Sequence, residues 1–286
     1  MYSRLKVKVK DLIKSIIQCV DDMPNESLSV NNIASKIGYS RWQLQRTFSA
    51  IFKMSLSDYI RLYKLSNCAK KLVETSDGIL DIAIEHGFTS QSAFTRSFKN
   101  EFKISPNQYR QQKSKIILPV LHFEYKTQWD QSMLVNVEKK EAFKVYGAAG
   151  HFNPLGAENP NNFDVIPKIW QAFCEFECED NAVKMGVIYE SDNLSLGEMG
   201  YLAGATKVKA HNNLSIKQID EGIFAVVPHI GLLKTLGTTM DEFYGGWLPE
   251  SQYKMRGNEV IEVYDERFAA ESKTSYFETW IPVEIK

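Results

Sequence analysis

The sequence predicts two domains of different fold class, an all-α domain at residues 1–115 and an α+β domain at residues 129–286. Three observations predict this division. Charge is segregated between the two parts, the first part contains an internal repeat, and the hydrophobic period changes from helical to strand-like beyond it. Residues 116–128 are predicted to be the linker.

Positive charge is concentrated in the first part. Residues 1–115 contain 19 Lys and Arg against 10 Asp and Glu, whereas residues 116–286 contain 15 against 25, although the net charge of the whole chain is only −1. A basic domain attracts a polyanion such as nucleic acid, and an acidic domain is repelled by it. The same balance also fits two domains that merely differ in isoelectric point, so the motifs must decide.

Composition excludes several classes of protein. The chain is 44% hydrophobic and 24% charged, as in globular proteins, and it has no apolar run long enough to span a membrane. Its first ten residues alternate basic and apolar residues rather than forming a secretory signal, so we expect a cytoplasmic protein with four reduced cysteines. The five histidines are scattered, and we expect neither a metal nor a cofactor.

The basic part contains the same unit twice. The run Ile33-Ala34-x-x-Ile37-Gly38-Tyr39-Ser40 matches Ile82-Ala83-x-x-His86-Gly87-Phe88-Thr89 at an offset of 49, and Phe52-Lys53-Met54-Ser55-x-x-x-Tyr59 matches Phe102-Lys103-Ile104-Ser105-x-x-x-Tyr109 at an offset of 50. Each unit has helical periodicity, a glycine that ends the first helix, and a serine (Ser40 or Ser90) that can cap the next. A helix, a short glycine turn and a second helix form a helix-turn-helix unit.

The second helix of each unit has one apolar face and one polar face suited to DNA. Leu44 and Phe48 are predicted to be core in the first unit, and Phe94 and Phe98 in the second. On the opposite faces, Arg can pair with guanine, Gln with adenine, and Thr or Trp can touch a thymine methyl, while other basic side chains contact phosphates. The candidate DNA-binding residues are Arg41, Trp42, Gln45, Arg46, Gln91, Ser92, Thr95 and Arg96. Taken singly, each is also an ordinary solvated surface residue.

Residues 56–72 between the two units have helical spacing. A continuous helix there would hold the two recognition helices at a fixed separation. We therefore predict that one chain, as a monomer, reads one asymmetric site with its recognition helices in successive major grooves about 34 Å apart.

Residues ~8–112 resemble the DNA-binding domain of the AraC/XylS family, in its monomer-binding subgroup. The resemblance is carried by the run Ile33 to Phe48, by Gly87-Phe88-x-Ser90-Gln91-Ser92-x-Phe94-Thr95-Arg96-x-Phe98-Lys99, and by Pro106-x-x-Tyr109-Arg110. It implies base-reading roles for Trp42, Gln45, Arg46, Gln91, Ser92, Thr95 and Arg96. Ser92 departs from the Gln often found in that family, which affects the expected preference of the second half-site.

Beyond the linker the pattern predicts a duplicated strand-helix-strand-strand unit with an antiparallel sheet. Predicted strands begin at Met133, Lys144, Val183, Ile223 and Ser275, and predicted helices cover 165–175 and 232–243. In the last strand, alternation places Glu278 on one face between Tyr276 and Trp280. A carboxylate among rings needs a partner, which could be a cationic or hydrogen-bonding ligand or a Lys or Arg of the protein, unless it lies at the solvent edge.

This second part resembles the GyrI-like effector-binding domain, through Trp170-x-x-Phe173, Tyr244-Gly-Gly-Trp247-Leu248-Pro249, Val260-Ile-Glu262-Val-Tyr264 and Glu278-Thr-Trp280-Ile281-Pro282. The resemblance implies that aromatic residues and a buried Glu bind hydrophobic, often cationic, molecules. The candidate ligand-binding residues are Glu278, Trp280, Tyr276, Trp170, Tyr189 and Trp247. The order of the two domains is that of an AraC/XylS regulator of the Rob type.

The sequence thus predicts a DNA-binding transcriptional regulator, expected to be an activator, with double-stranded DNA, RNA polymerase and a small-molecule effector as partners. An enzyme is not expected, because no nucleophile-base pair is apparent. Two alternatives for the second domain stay open, a protein-interaction module and a small-molecule hydrolase that would use Glu278 with a neighbouring Tyr as base and acid.

Overall fold

The computed structural model describes residues 2–25, 27–112, 133–154, 159–190, 197–209 and 212–286, with side chains from Lys10 onward. The chain forms two compact units, residues 1–128 and 129–286. The predicted linker lies outside the described residues. Among the described residues, no helix is long and apolar enough to cross a membrane.

The first unit is all-α, as predicted. Its helices are α1 (Tyr2–Asp22), α2 (Val30–Ile37), α3 (Arg41–Phe52), α4 (Leu56–Glu74), α5 (Ile79–Glu85), α6 (Gln91–Phe102) and α7 (Pro106–Gln111). The two predicted turns are present. Gly38 has φ of 75° and Gly87 has φ of 77°, values that glycine adopts without steric cost. The repeat extends to the ends of α3 and α6, where Lys53 and Lys103 also have positive φ.

Helix α4 belongs to two hydrophobic cores, which explains why its sequence is helical without a break. Its first turns contribute Leu56, Tyr59 and Ile60 to a core shared with α1, α2 and α3. Its last turns contribute Leu65 and Leu72 to a second core shared with α5, α6 and α7. One continuous helix therefore joins the two helix-turn-helix units, as the sequence predicts.

The second unit is α+β, as predicted. Its strands are β1 (Asn136–Lys140), β2 (Phe143–Phe152), β3 (Lys184–Tyr189), β4 (Met199–Ala205), β5 (Ser215–Ile219), β6 (Gly222–Ile230), β7 (Tyr253–Met255), β8 (Val260–Tyr264) and β9 (Tyr276–Ile285). Helix α8 (Asn162–Phe173) follows β2, and α9 (Leu236–Glu242) follows β6. A 3-10 turn (Leu233–Thr235) precedes α9, and α9 continues through a π-helical turn (Phe243–Trp247) into a last α-helical turn (Leu248–Glu250). The second predicted helix is therefore longer and less regular than expected.

The sheet shows how the two duplicated halves are joined. Its order is β1-β6-β9-β8-β3-β4-β2-β5, with β7 paired to β9, and all its pairs are antiparallel. The halves meet where β8 pairs with β3. The first half runs from β1 to β4 and the second from β5 to β9. The halves also exchange strands, because β1 pairs with β6 of the second half and β5 pairs with β2 of the first half.

The two faces of the sheet have different surroundings. On one face, the rings of Phe143 and Trp280 come within 6.2 Å of each other although three strands separate β2 from β9, so this face is concave. On the opposite face, Trp170 of α8 contacts Tyr201 of β4, and Thr239 of α9 contacts His229 of β6. We call these the concave face and the helix-covered face.

Candidate DNA-reading surface and candidate ligand site

Helices α3 and α6 begin in the same way. The Ser40 hydroxyl accepts a hydrogen bond from the Gln43 backbone N–H, and the Ser90 hydroxyl accepts one from the Ala93 N–H. Both predicted N-caps are therefore present, and they fix where each recognition helix begins.

The predicted base-reading side chains lie away from the two buried cores. The first set (Arg41, Trp42, Gln45 and Arg46) is half-buried. In the second set Gln91, Ser92 and Arg96 are exposed and Thr95 is half-buried. The structure thus leaves the second reader more open to solvent than the first, although the two helices start with the same cap.

The candidates Gln45 and Ser92 make side-chain hydrogen bonds within the protein. Gln45 Oε1 accepts a hydrogen bond from the Leu56 backbone N–H at 2.9 Å, and Gln45 Nε2 donates one to Ser57 Oγ at 3.1 Å. The Ser92 hydroxyl lies 3.0 Å from the hydroxyl of the cap Ser90. Gln45 therefore connects α3 to α4, and Ser92 is coupled to the start of α6.

The predicted ligand residues do not form one site. Tyr189, Glu278 and Trp280 lie on the concave face, since Ile261 pairs with both Val187 and Trp280 and lies in the same core. Tyr276 lies on that face by alternation. Trp170 lies on the helix-covered face, and Trp247 stacks on Tyr253 at 6.1 Å.

Glu278 has its partners within its own strand. Its carboxylate accepts hydrogen bonds from the Tyr276 hydroxyl at 2.9 Å and from Trp280 Nε1 at 2.8 Å. The rings beside it carry cations of the chain, with Arg267 over Tyr276 at 3.7 Å and Lys140 over Trp280 at 4.1 Å. Among the described residues, the hydrogen-bond partners of this carboxylate are thus a Tyr and a Trp of its own strand.

A second carboxylate, Glu262, is buried on the helix-covered face. Its Oε2 accepts hydrogen bonds from the hydroxyls of Tyr201 at 2.7 Å and Tyr264 at 2.8 Å. Trp170 Nε1 donates in turn to the Tyr201 hydroxyl at 3.0 Å, and the Trp170 and Tyr264 rings are 5.4 Å apart, edge to face. We call these four residues the Glu262 cluster.

The electrostatics of the Glu262 cluster differ from those of an ordinary ion pair. No Lys or Arg among the described residues forms an ion pair with Glu262, which is only 8% exposed. Burial raises the pKa of the Glu262 carboxyl, and the two tyrosine hydrogen bonds offset this in part. Burial and the adjacent carboxylate also raise the pKa of Tyr201 and of Tyr264, so both hydroxyls stay protonated as donors.

Thr279 adds an unsatisfied polar atom beside this carboxylate. It pairs directly with Glu262 across β8 and β9, so both side chains lie on the helix-covered face. The Thr279 hydroxyl is buried, and no hydrogen-bond partner for it is present in the described part of the chain. A buried hydroxyl without a partner carries a free-energy cost that a bound polar group would remove.

The sequence did not predict a ligand-binding role for Glu262, which appeared only within a motif of the GyrI-like resemblance. The usable signal is the same one that selected Glu278, a single carboxylate in the apolar strand Val260-Ile-Glu-Val-Tyr264. What separates the two is the register, which places one on each face. No group of three or more His, Cys, Asp or Glu side chains that could hold a metal ion is found among the described residues.

Comparison with known proteins places both domains. Residues 33–112 match the family model described as a helix-turn-helix domain, and residues 133–284 match that of the GyrI-like small molecule binding domain. MarA, the multiple antibiotic resistance protein of Salmonella typhimurium, is 38% identical over 117 residues, which are 40% of this chain and 92% of MarA. The regulatory protein SoxS of the same organism is 37% identical over 101 residues, which are 35% of this chain and 94% of SoxS.

Solved structures match each of the two domains separately. A regulator with an AraC-type DNA-binding domain from Chromobacterium violaceum is 29% identical and covers 36% of this chain and 92% of its own, with a TM-score of 0.34. The structure of SAV2435 bound to tetraphenylphosphonium is 16% identical and covers 53% of this chain and 94% of its own, with a TM-score of 0.43.

The two matched domains define a DNA-binding transcription regulator with a small-molecule-binding domain. The chain belongs to the AraC/XylS family, with the Rob-type arrangement of a double helix-turn-helix domain followed by a GyrI-like domain.

Proposed function

We propose that one chain, as a monomer, reads one asymmetric DNA site with α3 and α6 in successive major grooves. The shared helix α4 supports this, because both cores hold it and it fixes the separation of the two readers. The readers carry different side chains, with Trp42 and Arg46 on α3 and Ser92, Thr95 and Arg96 on α6. Two different readers on a rigid spacer fit a site without two-fold symmetry. Arg41 and Gln91, at the start of each helix, are the positions for phosphate and base-edge contacts.

We further propose that the regulator works in the cytoplasm as an activator that recruits RNA polymerase, and that it is not an enzyme. The curated relative SoxS is named as a regulatory protein, which supports a regulator. Transcription with purified RNA polymerase tests its recruitment. The number of chains bound to one duplex tests whether the regulator binds as a monomer.

We propose that the effector is a small hydrophobic molecule carrying a cation or a hydrogen-bond donor, and that it binds at the Glu262 cluster. The observation that carries this proposal is a buried carboxylate whose partners are tyrosine hydroxyls instead of a cation. A ligand cation would neutralise the charge of the Glu262 carboxylate, and the rings of Trp170 and Tyr264 would stack on the apolar body of the ligand. Those two rings are half-buried, so the ligand would enter past them.

Two molecules of the same shape and opposite charge test the ligand proposal. Tetraphenylphosphonium and tetraphenylborate are titrated calorimetrically into the full chain. We expect heat with the cation and none with the anion. Glu262→Gln should weaken binding of the cation about tenfold or more, because a charged hydrogen-bond acceptor is lost from a buried site. Glu278→Gln is the matched control and should leave binding unchanged.

Other outcomes would contradict the proposal in distinguishable ways. Loss of binding in Glu278→Gln but not in Glu262→Gln would move the site to the concave face. Equal binding of cation and anion would rule out a carboxylate-based site. No heat with either ion would leave the protein-interaction alternative, and turnover of a small molecule that is lost in Glu278→Gln would favour the hydrolase alternative.

A further inference from the structure

We infer that Gln45 is a positioning residue that holds the recognition helix α3 against α4. The inference rests on the proposed DNA reading by α3, and it changes the role of a residue that resemblance assigns to base contact. It is carried by the two Gln45 hydrogen bonds and by a difference between the two repeated units.

Both hydrogen bonds of Gln45 end at the first turn of α4. A helix begins with backbone N–H groups that have no partner inside the helix. The Ser55 hydroxyl accepts from the Asp58 N–H at 3.0 Å, which satisfies one of them. Gln45 Oε1 satisfies another, the Leu56 N–H, at a residue that is fully buried. Gln45 therefore completes the cap of α4 from a different helix.

The second unit shows when such a residue is needed. At the offset of 50, Gln45 corresponds to Thr95 and Leu56 corresponds to Pro106. Proline has no backbone N–H, so the first residue of α7 has no donor to satisfy. The cap Ser105 instead forms a capping box with Gln108 inside the same helix. The first unit thus has an amide side chain, Gln45, and its next helix begins with a residue that has an N–H. The second unit has Thr95 instead, and its next helix begins with a proline, which has no N–H.

The two bonds also restrict what Gln45 can do on DNA. Paired recognition of adenine uses the side-chain oxygen and the NH2 group together. Here the oxygen is bonded to the Leu56 N–H and the NH2 group to Ser57. Turning the amide to a base edge would leave the N–H of the buried Leu56 without its acceptor, which is unfavourable. Gln45 therefore acts on binding by fixing the α3 backbone that carries Trp42 and Arg46.

The first arm of the test measures the unfolding of the full chain in denaturant. Gln45→Ala should raise the unfolding equilibrium constant of the DNA-binding unit about tenfold, because a helix start loses its acceptor. Gln45→Glu keeps an oxygen for the Leu56 N–H and should recover most of this loss. Thr95→Ala is the matched control in the second unit and should change the constant by no more than about twofold.

The second arm measures base preference. A residue that only positions α3 should change the affinity for all duplexes alike, whereas a direct reader should change the preference at one base pair. A preferred duplex is selected from a randomised library with the wild-type chain, and binding is measured for every single base-pair change in its first half-site. Gln45→Ala should weaken binding to all of these duplexes by the same factor and keep their rank order. It should also reduce the effect of Arg46→Ala, because Arg46 would no longer be held in place.

Two results would overturn the inference. One is an unchanged unfolding constant in Gln45→Ala. The other is a preference that is relaxed at a single base pair while all other ratios are kept, which is the behaviour of a direct reader. If Arg46→Ala and Arg96→Ala also leave specific binding intact, the proposed reading surface itself is wrong, and the unfolding arm still decides whether Gln45 caps α4.

Discussion

Gly186 and Glu262 face each other across the two central strands, and the glycine leaves the space that the Glu262 cluster occupies. They are direct partners in the pairing of β3 with β8. A Cβ on Gly186 would lie 2.0 Å from the Tyr201 hydroxyl oxygen and 2.8 Å from Glu262 Oε2, which is closer than atoms approach without a bond. The seam between the two duplicated halves is thus the place where the polar cluster is built, with a missing side chain on one half and a carboxylate on the other.

Gly186→Ala should therefore damage both stability and ligand binding. The new methyl group must displace Tyr201, which breaks the hydrogen bond to Glu262 in a packed core, and we expect a loss of about 2–3 kcal/mol in the free energy of unfolding. The measurement is denaturant unfolding together with titration of a lipophilic cation. Gly237→Ala in α9, where a Cβ meets nothing within 4 Å, is the control and should be neutral or slightly stabilising. Equal stability of the two variants would show that Tyr201 can move without cost.

The raised pKa of Glu262 predicts how stability depends on pH. Between the ordinary carboxyl pKa and the raised one, the folded protein keeps a proton on Glu262 that the unfolded chain has released. Stability should therefore fall as pH rises through this window, and Glu262→Gln should remove that part of the dependence. Unfolding curves at a series of pH values measure it, and parallel curves for wild type and Glu262→Gln would contradict it.

Binding of a cation should show the opposite trend with pH. The cation pairs with the ionised carboxylate, so its affinity should rise as pH increases through the raised pKa of Glu262. Each bound cation should then release a proton below that pKa. Calorimetry in two buffers with different heats of ionisation measures the proton release. Affinity that is independent of pH in wild type would mean that the carboxyl is already ionised without ligand.

Local rules were sufficient for most of the helical domain. The caps Ser40 and Ser90 and the turn glycine Gly38 follow from short-range backbone chemistry, and all three are present in the structure. Strand β4 was not predicted, because all seven of its residues are buried and two are glycines, so it shows neither alternation nor strand-forming composition. The exchange of β1 and β5 between the two halves depends on long-range pairing, which no local pattern contains.

The proposed ligand site illustrates the same limit at one carboxylate. Alternation correctly groups Tyr276, Glu278 and Trp280, and the structure joins these three by hydrogen bonds. The alternation of residues along a strand does not show which face of the sheet the helices cover, because that depends on how α8 packs. Glu262 and Glu278 both lie among apolar residues, and only the packing of Trp170 onto Tyr201 distinguishes the one covered by a helix.

The arginines of the two readers should contribute to specific binding. Arg46→Ala or Arg96→Ala should cost about 1–3 kcal/mol on the preferred duplex and little on unrelated DNA, as expected for contacts with base edges. Lys99→Ala on the exposed side of α6 is the control and should weaken binding to all sequences alike, with a shallower salt dependence. The measurement is a set of equilibrium titrations on specific and scrambled duplexes at several salt concentrations. A uniform loss for the two arginine variants would assign them to phosphates.

The two turn glycines give a prediction in which the repeat supplies its own control. Gly38 and Gly87 occupy equivalent positions, and their φ angles are 75° and 77°. An alanine at either position is strained by about 1 kcal/mol, because the left-handed region is unfavourable for a residue with a Cβ. At Gly38 nothing lies within 4 Å of the added Cβ, whereas at Gly87 it would lie 3.1 Å from the Asn25 carbonyl oxygen and 3.1 Å from Lys64 Nζ.

Gly87→Ala should therefore destabilise the DNA-binding unit more than Gly38→Ala, by about 1 kcal/mol beyond the shared strain. The difference is measured by denaturant unfolding of the full chain with each single variant. Lys64→Ala in the Gly87→Ala background removes one of the two close contacts and should recover part of the difference, while the backbone contact with Asn25 remains. If Gly38→Ala were the more costly variant, the turn of the second unit would have to relax away from Asn25, and the equivalence of the two units would end at this turn.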